Sequence, residues 1–364
     1  MARPKAESTI NPEDWLKAIH KEIGENDANQ GVSDWLTTGY LPLNKIMSGR
    51  YDGGFPVGRM TEVFGASSSG KTLMCVMAGI ETQRKGGLFV FLDYEHAFYL
   101  DYAVKLGLDI SPEKWIYKQP TTAEEGFKAI EHICNIVNKC KIDKPVTIVL
   151  DSVASMVPGE ALEAGVDKQN MRTKMSLASL ASSALPSITN FINKTNVTLL
   201  CINQTRTNPG IMFGDKTVTP GGDSWKFYAS MRVKVSKSGK ILDDDDLQIG
   251  ENVTVTIVKN KTAPPFQKCH YESSYTEGIN LYSSHINALH EAGLLGDIKG
   301  WLVLDGTKYR KDQLEVACRN DPKIYLSLLR LFKNVTAEPV KPSATIIDEE
   351  TGEVKSIDGE EYGE

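Results

Sequence analysis

Several stretches of the chain are apolar at nearly every position instead of every second one: residues 60–64 (MTEVF), 88–92 (LFVFL), 146–150 (VTIVL) and 197–202 (VTLLCI), with 253–258 (VTVTIV) following after a gap. Helical periodicity fills the intervals, over LMCVMAGIETQRK just past residue 72 and near 97–106, 122–139 and 171–194. Strands apolar on both faces that alternate with helices predict a mostly parallel central sheet covered on both sides, an α/β fold. In such a sheet the chemistry collects at the carboxyl ends of the strands.

The flanks read differently. Asn11 as a cap, Pro12 in the first turn and Glu13-Asp14 at its positive end lead into Trp15, Leu16, Ile19 and Ile23, an apolar stripe at helical spacing. A polar linker, GENDANQG, sets this helix apart, so its stripe covers either the chain's own core or a neighbouring subunit. Residues 35–59 form a turn-rich approach to the first strand that can contribute to a nucleotide's surroundings. Residues 281–334 read as a small C-terminal module of helices around WLVLDGTKY, an α+β lobe. The expected organisation is an N-terminal helix and linker (1–35), a core (36–280), the lobe (281–334) and a tail (335–364).

Charge sharpens the last boundary. The formal net charge is −6, yet from residue 338 onward nine acidic residues face two lysines, which leaves the rest of the chain near neutral. A tail so polar is expected to stay disordered, serving either solubility or competition with nucleic acid for a basic surface. No apolar run is long enough to span a bilayer and MARPKAESTINPEDW lacks the apolar middle of a signal peptide, so a cytoplasmic protein with no membrane partner is expected. The six cysteines show no C-x-x-C pair and the six histidines do not cluster, which argues against a zinc ribbon, a disulfide framework or any metal beyond nucleotide-bound Mg²⁺.

The strand at 60–64 runs into GASSSGKT, which is Gly65, Ala66, Ser67, Ser68, Ser69, Gly70, Lys71 and Thr72, and then into a helix. That layout is the G-x-x-x-x-G-K-[ST] phosphate loop in its required context. Its glycines let backbone N–H groups and the helix start wrap a polyphosphate, Lys71 reaches the β/γ oxygens, and Thr72 ligates Mg²⁺. Asp151, at the end of the strand 146–150, suits the other half of the Mg²⁺ site, with helix capping as its ordinary alternative. Hydrolysis also needs a group to orient and deprotonate water, and Glu95 in DYEHA is the candidate, ahead of Asp93. Gln204 can touch the γ-phosphate and report its loss to the next segment of chain. That segment, residues 205–225, lacks helical or strand periodicity. With the adjoining Lys226 it combines Arg206 and Lys216 with Met212-Phe213 and a flexible Gly221-Gly222, which suits a single-strand nucleic-acid binder or, equally, a mobile lid.

GASSSGKT, FLDYEHA, VLDSVA, INQTRTNPGIMFG, TPGGDSWKFYASMRV and IVKNKTAPPF, in this order and at these intervals, resemble the bacterial RecA recombinase family over residues 36–333. The resemblance implies a DNA-dependent ATPase with a RecA-type core that uses ATP and Mg²⁺. It implies a helical filament of identical subunits on single-stranded DNA that pairs with homologous double-stranded DNA and exchanges strands. Lys71, Thr72 and Asp151 would hold ATP and Mg²⁺, Glu95 would be the base, Gln204 the γ-phosphate sensor, and Tyr102 the ring stacked on adenine. Lys259 and Lys261 match lysines that reach the phosphates of the adjacent protomer, a cation in trans. The stripe at Trp15, Leu16, Ile19 and Ile23 matches the helix that docks on the next subunit. Implied DNA contacts are Met171 and Arg172 in a first loop (160–175), and Arg206, Met212, Phe213, Gly221, Gly222 and Lys226 in the second. The chain departs from the family pattern at Ser67, where glutamate is common, in the first loop, and in the longer approach GRYDGGFPVGRM. A ring-forming DNA motor or helicase and, further off, a small-molecule kinase are the other readings of the phosphate loop.

Overall fold

The computed structural model describes residues 17, 20–22, 31–164, 171–207, 217–298, 300–333, 345–347 and 354–356. The chain divides into two compact units, Met1–Ser33 and Asp34–Glu364. Trp15, Leu16, Ile19 and Ile23 lie outside the described residues, as does most of the tail.

The second unit opens with a small antiparallel ladder, β1 (Trp35–Leu36) with β2 (Phe55–Pro56). The next strands are β3 (Met60–Gly65), β4 (Leu88–Asp93), β5 (Trp115–Lys118), β6 (Val146–Asp151) and β7 (Val197–Gln204). A two-residue ladder, β8 (Arg206–Thr207) with β9 (Thr217–Val218), precedes β10 (Met231–Leu242), β11 (Gln248–Asn260), β12 (Lys268–Ser274) and β13 (Gly278–Ile279). Nine of these form the central sheet in the order β13-β12-β11-β10-β3-β7-β6-β4-β5. From β10 to β5 the neighbours run parallel, and from β10 to β13 they run antiparallel.

The parallel half is buried on both faces, as its continuous apolar runs require. Val63, Val149 and Leu200 face one core with Met74 and Ala78 of the helix Lys71–Arg84. Met60, Ile148 and Leu199 face the other, with Phe127 and Ile130 of the helix Ala123–Lys139 and Leu185 and Ile188 of the helix Met171–Asn193. The period-two alternation of side chains therefore splits each strand between two cores. Thr122 caps the helix Ala123–Lys139 by accepting from the Glu125 N–H at 3.3 Å.

Three expectations need correction. Strand β10 was hidden from a search for continuous apolar runs, because MRVKVSKS alternates buried and half-exposed residues. The helix expected near 97–106 is only Leu100–Lys105, because the Asp93 carboxylate captures the N–H groups of residues 95–98 in a turn ahead of it. The approach 35–59 folds as β1, β2 and the helix Leu41–Ser48, with Leu43, Met47 and Phe55 in the core, and supplies none of the residues lining the cavity between the strand ends.

Toward the C-terminus, β14 (Gly296–Ile298), β15 (Trp301–Leu304) and β16 (Thr307–Tyr309) make an antiparallel sheet. It packs through Leu302 and Leu304 with the helices Leu281–Glu291, Lys311–Asn320 and Pro322–Lys333 around a third apolar cluster. In the tail, Thr345–Ile347 pairs with Val354–Ser356, an antiparallel ladder that its polar composition did not suggest. Among the described residues no helix is long and apolar enough to cross a membrane.

Candidate nucleotide-binding site

Sheet register brings the sequence-selected residues together. Gly65 at the end of β3 lies opposite Gln204 at the end of β7, and Asp93 at the end of β4 lies opposite Asp151 at the end of β6. Four strands thus deliver their carboxyl ends to one edge, where a doubly covered sheet offers a crevice.

The phosphate loop is shaped by its glycines. A Cβ on Gly65 would stand 2.1 Å from the Val235 carbonyl, so only hydrogen fits there, and Gly70 adopts φ +88° as the helix begins. The helix Lys71–Arg84 starts with no side-chain cap, which leaves its first N–H groups for an anion. Ala66, Ser67 and Ser68 are exposed, while Ser69 is buried. The Lys71 ammonium donates to the Ala66 carbonyl at 2.6 Å, and burial lowers its pKa. Thr72 donates its hydroxyl proton to Asp151 Oδ2 at 2.8 Å. Burial, reinforced by the facing Glu95 and Asp93, pushes the Asp151 carboxyl up to about 7. The Asp151–Ser152 peptide is cis.

Asp93 and Glu95 divide their labour. Asp93 is 1 % exposed and accepts from the N–H groups of Glu95, His96, Ala97 and Phe98 and from the Tyr117 hydroxyl. Both of its oxygens are committed to holding the turn. Glu95 is exposed on that turn, with Oε1 accepting from Gln204 Nε2 at 2.7 Å and from the Ser152 hydroxyl. Ser152 and Tyr117 are partners that sequence reasoning missed. For Ser152 the available signal was a hydroxyl directly after the strand-end aspartate.

A cavity opens between these groups, lined by Thr72, Asp93, Glu95 and Asp151 and continuing along an apolar wall to Tyr99 and Tyr102. Tyr102 is half-buried, and its hydroxyl donates to the Ser274 carbonyl at 3.3 Å. Mg²⁺ fits this site: Thr72 and Asp151 offer hard oxygen ligands, and a buried carboxyl driven toward neutrality lacks a positive partner. Among the described residues no cluster of three or more His, Cys, Asp or Glu could hold a metal ion.

The remaining sites lie apart. Lys259 pairs in register with Arg232, which pairs with Glu62 in the amino-terminal half of β3 and so away from the phosphate loop of its own chain. Its ammonium donates to the carbonyls of Lys226 and Phe227 at 2.6 and 2.8 Å, and burial, with Lys261 and Arg232 nearby, lowers its pKa. Lys261 is exposed just beyond β11. Arg206 sits on β8, so the segment after Gln204 begins with a short ladder instead of lacking strand structure altogether. Its far end is packed as well. A Cβ on Gly221 would meet Trp225 at 2.7 Å and one on Gly222 would meet Ala178 at 2.8 Å, so this pair, expected to be flexible, is held in place. Lys226 forms an ion pair with Asp223 at 2.7 Å. Met171 and Arg172 open the helix Met171–Asn193, whereas Met212, Phe213 and Lys216 lie outside the described residues.

Beneath this segment lies a buried network that sequence reasoning did not find. Glu62, fully buried, accepts from Arg232 at 2.5 Å and from Asn203 Nδ2 at 3.0 Å, and the same Asn203 amide donates to the Pro220 carbonyl at 3.1 Å. It ties the two ends of residues 205–220 to the sheet.

Fold and site together define a phosphate-loop nucleotide-binding protein of the parallel α/β class. The family described as RecA N-terminal domain matches residues 13–280, and the chain belongs to the RecA family, whose members carry out homologous pairing and strand exchange in recombination and repair. It is 34% identical over 352 residues to Protein RecA of Leptospira biflexa, covering 94% of this chain and 86% of the relative. It is 35% identical over 318 residues to Protein RecA of Cytophaga hutchinsonii, covering 84% and 86%. A crystal structure of the RadB recombinase aligns with 67% of this chain and 98% of its own at 18% identity, with a TM-score of 0.49.

Proposed function

We propose that the chain is a DNA-stimulated ATPase that assembles as a filament on single-stranded DNA in the cytoplasm, with Lys71 and Thr72 holding the nucleotide. When bound between Thr72 and Asp151, Mg²⁺ supplies charge neutralisation for the phosphates. Glu95 is the base that orients and deprotonates water. Gln204 carries the state of the nucleotide to the segment after it, ordering residues 205–225 for DNA when ATP is present. Lys259 and Lys261, remote from this chain's own phosphate loop, act on a neighbour's nucleotide.

The hydrogen bond between Gln204 and Glu95 carries this reading. One amide touches the candidate base, and two residues along begins the ladder that leads into the DNA segment. A change in what Glu95 or Gln204 touches therefore reaches both functions.

The test is Glu95→Gln, which keeps shape and removes the base. Turnover of ATP falls by about 10²–10⁴-fold, while ATP-dependent binding of a single-stranded oligonucleotide persists. Undiminished turnover by the variant rules Glu95 out as the base. A native ATPase rate indifferent to added oligonucleotide rules out the coupling.

A further inference from the structure

Past Thr72 and the carboxylates, the cavity wall is made by Leu73, Val76, Ala97, Phe98 and Ala103, whose side chains neither donate nor accept hydrogen bonds, and by Tyr99 and Tyr102. The two tyrosine rings stack, with centroids 6.2 Å apart and planes 16° from parallel. Tyr102 is anchored on Ser274, but Tyr99 is 66% exposed. The backbone under Tyr99 is nevertheless fixed. Asp93 holds the four N–H groups just ahead of it, and Phe98 packs 4.4 Å from Phe91 and 5.6 Å from Trp115.

We infer that Tyr99 is a second stacking wall for the nucleobase, closing on one face while Tyr102 supports the other. The inference rests on the nucleotide-binding reading above. A base held between two rings needs two van der Waals contacts, about 7 Å between the flanking planes. Tyr99, with most of its surface in solvent, swings outward to admit it. The larger purines are held more tightly than the smaller pyrimidines.

Titration calorimetry in the presence of Mg²⁺ tests this with ATP, GTP and inorganic tripolyphosphate on the native chain, Tyr99→Ala and Tyr99→Phe. Tyr99→Ala weakens binding of ATP and of GTP by about tenfold, at the low end of base–aromatic stacking. Its tripolyphosphate affinity is unchanged, and Tyr99→Phe binds like the native chain. Undiminished ATP affinity in Tyr99→Ala, with tripolyphosphate still bound, overturns the second wall alone. A native chain that binds neither ATP nor tripolyphosphate overturns the nucleotide site and this inference together.

Discussion

Glu62 and Asp151 are both buried carboxylates of the parallel half-sheet, 0% and 8% exposed, and they are provided for in opposite ways. Glu62 has a full complement of partners: the Arg232 guanidinium at 2.5 Å and the Asn203 amide at 3.0 Å, with Arg232 itself laid over the Phe64 ring at 4.5 Å. Asp151 has the Thr72 hydroxyl, while the nearby Lys71 ammonium donates to Ala66 and two further carboxylates face it. Burial alone does not mark a functional acid, because a saturated one is an internal brace. What distinguishes Asp151 is a shortage of positive charge, which the proposed Mg²⁺ would make good.

The largest effect should come from Arg232→Ala, which strands the Glu62 carboxylate. Unfolding in urea should show a loss of about 3–5 kcal/mol, and adding Glu62→Gln should recover part of it. A loss below about 1 kcal/mol would mean that Glu62 does not depend on its partner.

Asp151 should respond to pH in the direction opposite to an ordinary paired carboxylate. Its folded pKa, about 7, lies above the usual 3.8, so between those values the native state holds a proton that the unfolded chain has released. Stability therefore declines as pH rises through that window, by on the order of 3 kcal/mol. Asp151→Asn removes this contribution, and Mg²⁺ with nucleotide suppresses it in the native chain. Identical stability–pH curves for the native and D151N proteins would remove the charge deficit from the account.

Gly221→Ala acts on the Glu62 side, since Pro220 shares Asn203 with Glu62. At φ +89°, and with a Cβ 2.7 Å from Trp225 and 2.9 Å from Val153, the substitution should cost about 2 kcal/mol. The Asp151 pH response should be untouched, and altered pH dependence would show that the two acids are coupled. The smallest effect belongs to acids that act only through net charge. Deleting residues 338–364 should strengthen double-stranded DNA binding several-fold at moderate salt, by about 1 kcal/mol, with the gain fading as salt rises. Equal affinity across the salt titration would leave that segment a solubility device.

The half-sheet that carries the site was legible because its strands are apolar on both faces. The expected runs at 60–64, 88–92, 146–150 and 197–202 fall within β3, β4, β6 and β7, which extend beyond them by one or two residues. The phosphate loop announced itself through spacing, and strand ends pointed to Asp151, Glu95 and Gln204, which the fold gathers at one edge. The antiparallel extension was less legible because β10 presents alternating buried and half-exposed residues, and its pairing with β3 is a long-range choice. Least legible were the partnerships. Glu62 finds Arg232 across 170 residues and Glu95 finds Gln204 across 109, and no local periodicity encodes either meeting. The residues 205–225 looked shapeless because two-residue ladders and glycine contacts leave no repeating pattern to read.

The Asp93 knot has a consequence for how this protein can change. One carboxylate ties the short turn from which both Glu95 and Tyr99 project, so the proposed base and the proposed stacking ring share a single suspension point. Neither can be re-tuned by moving that backbone without shifting the other. Inherited variation in fuel choice and in clock speed should therefore travel together.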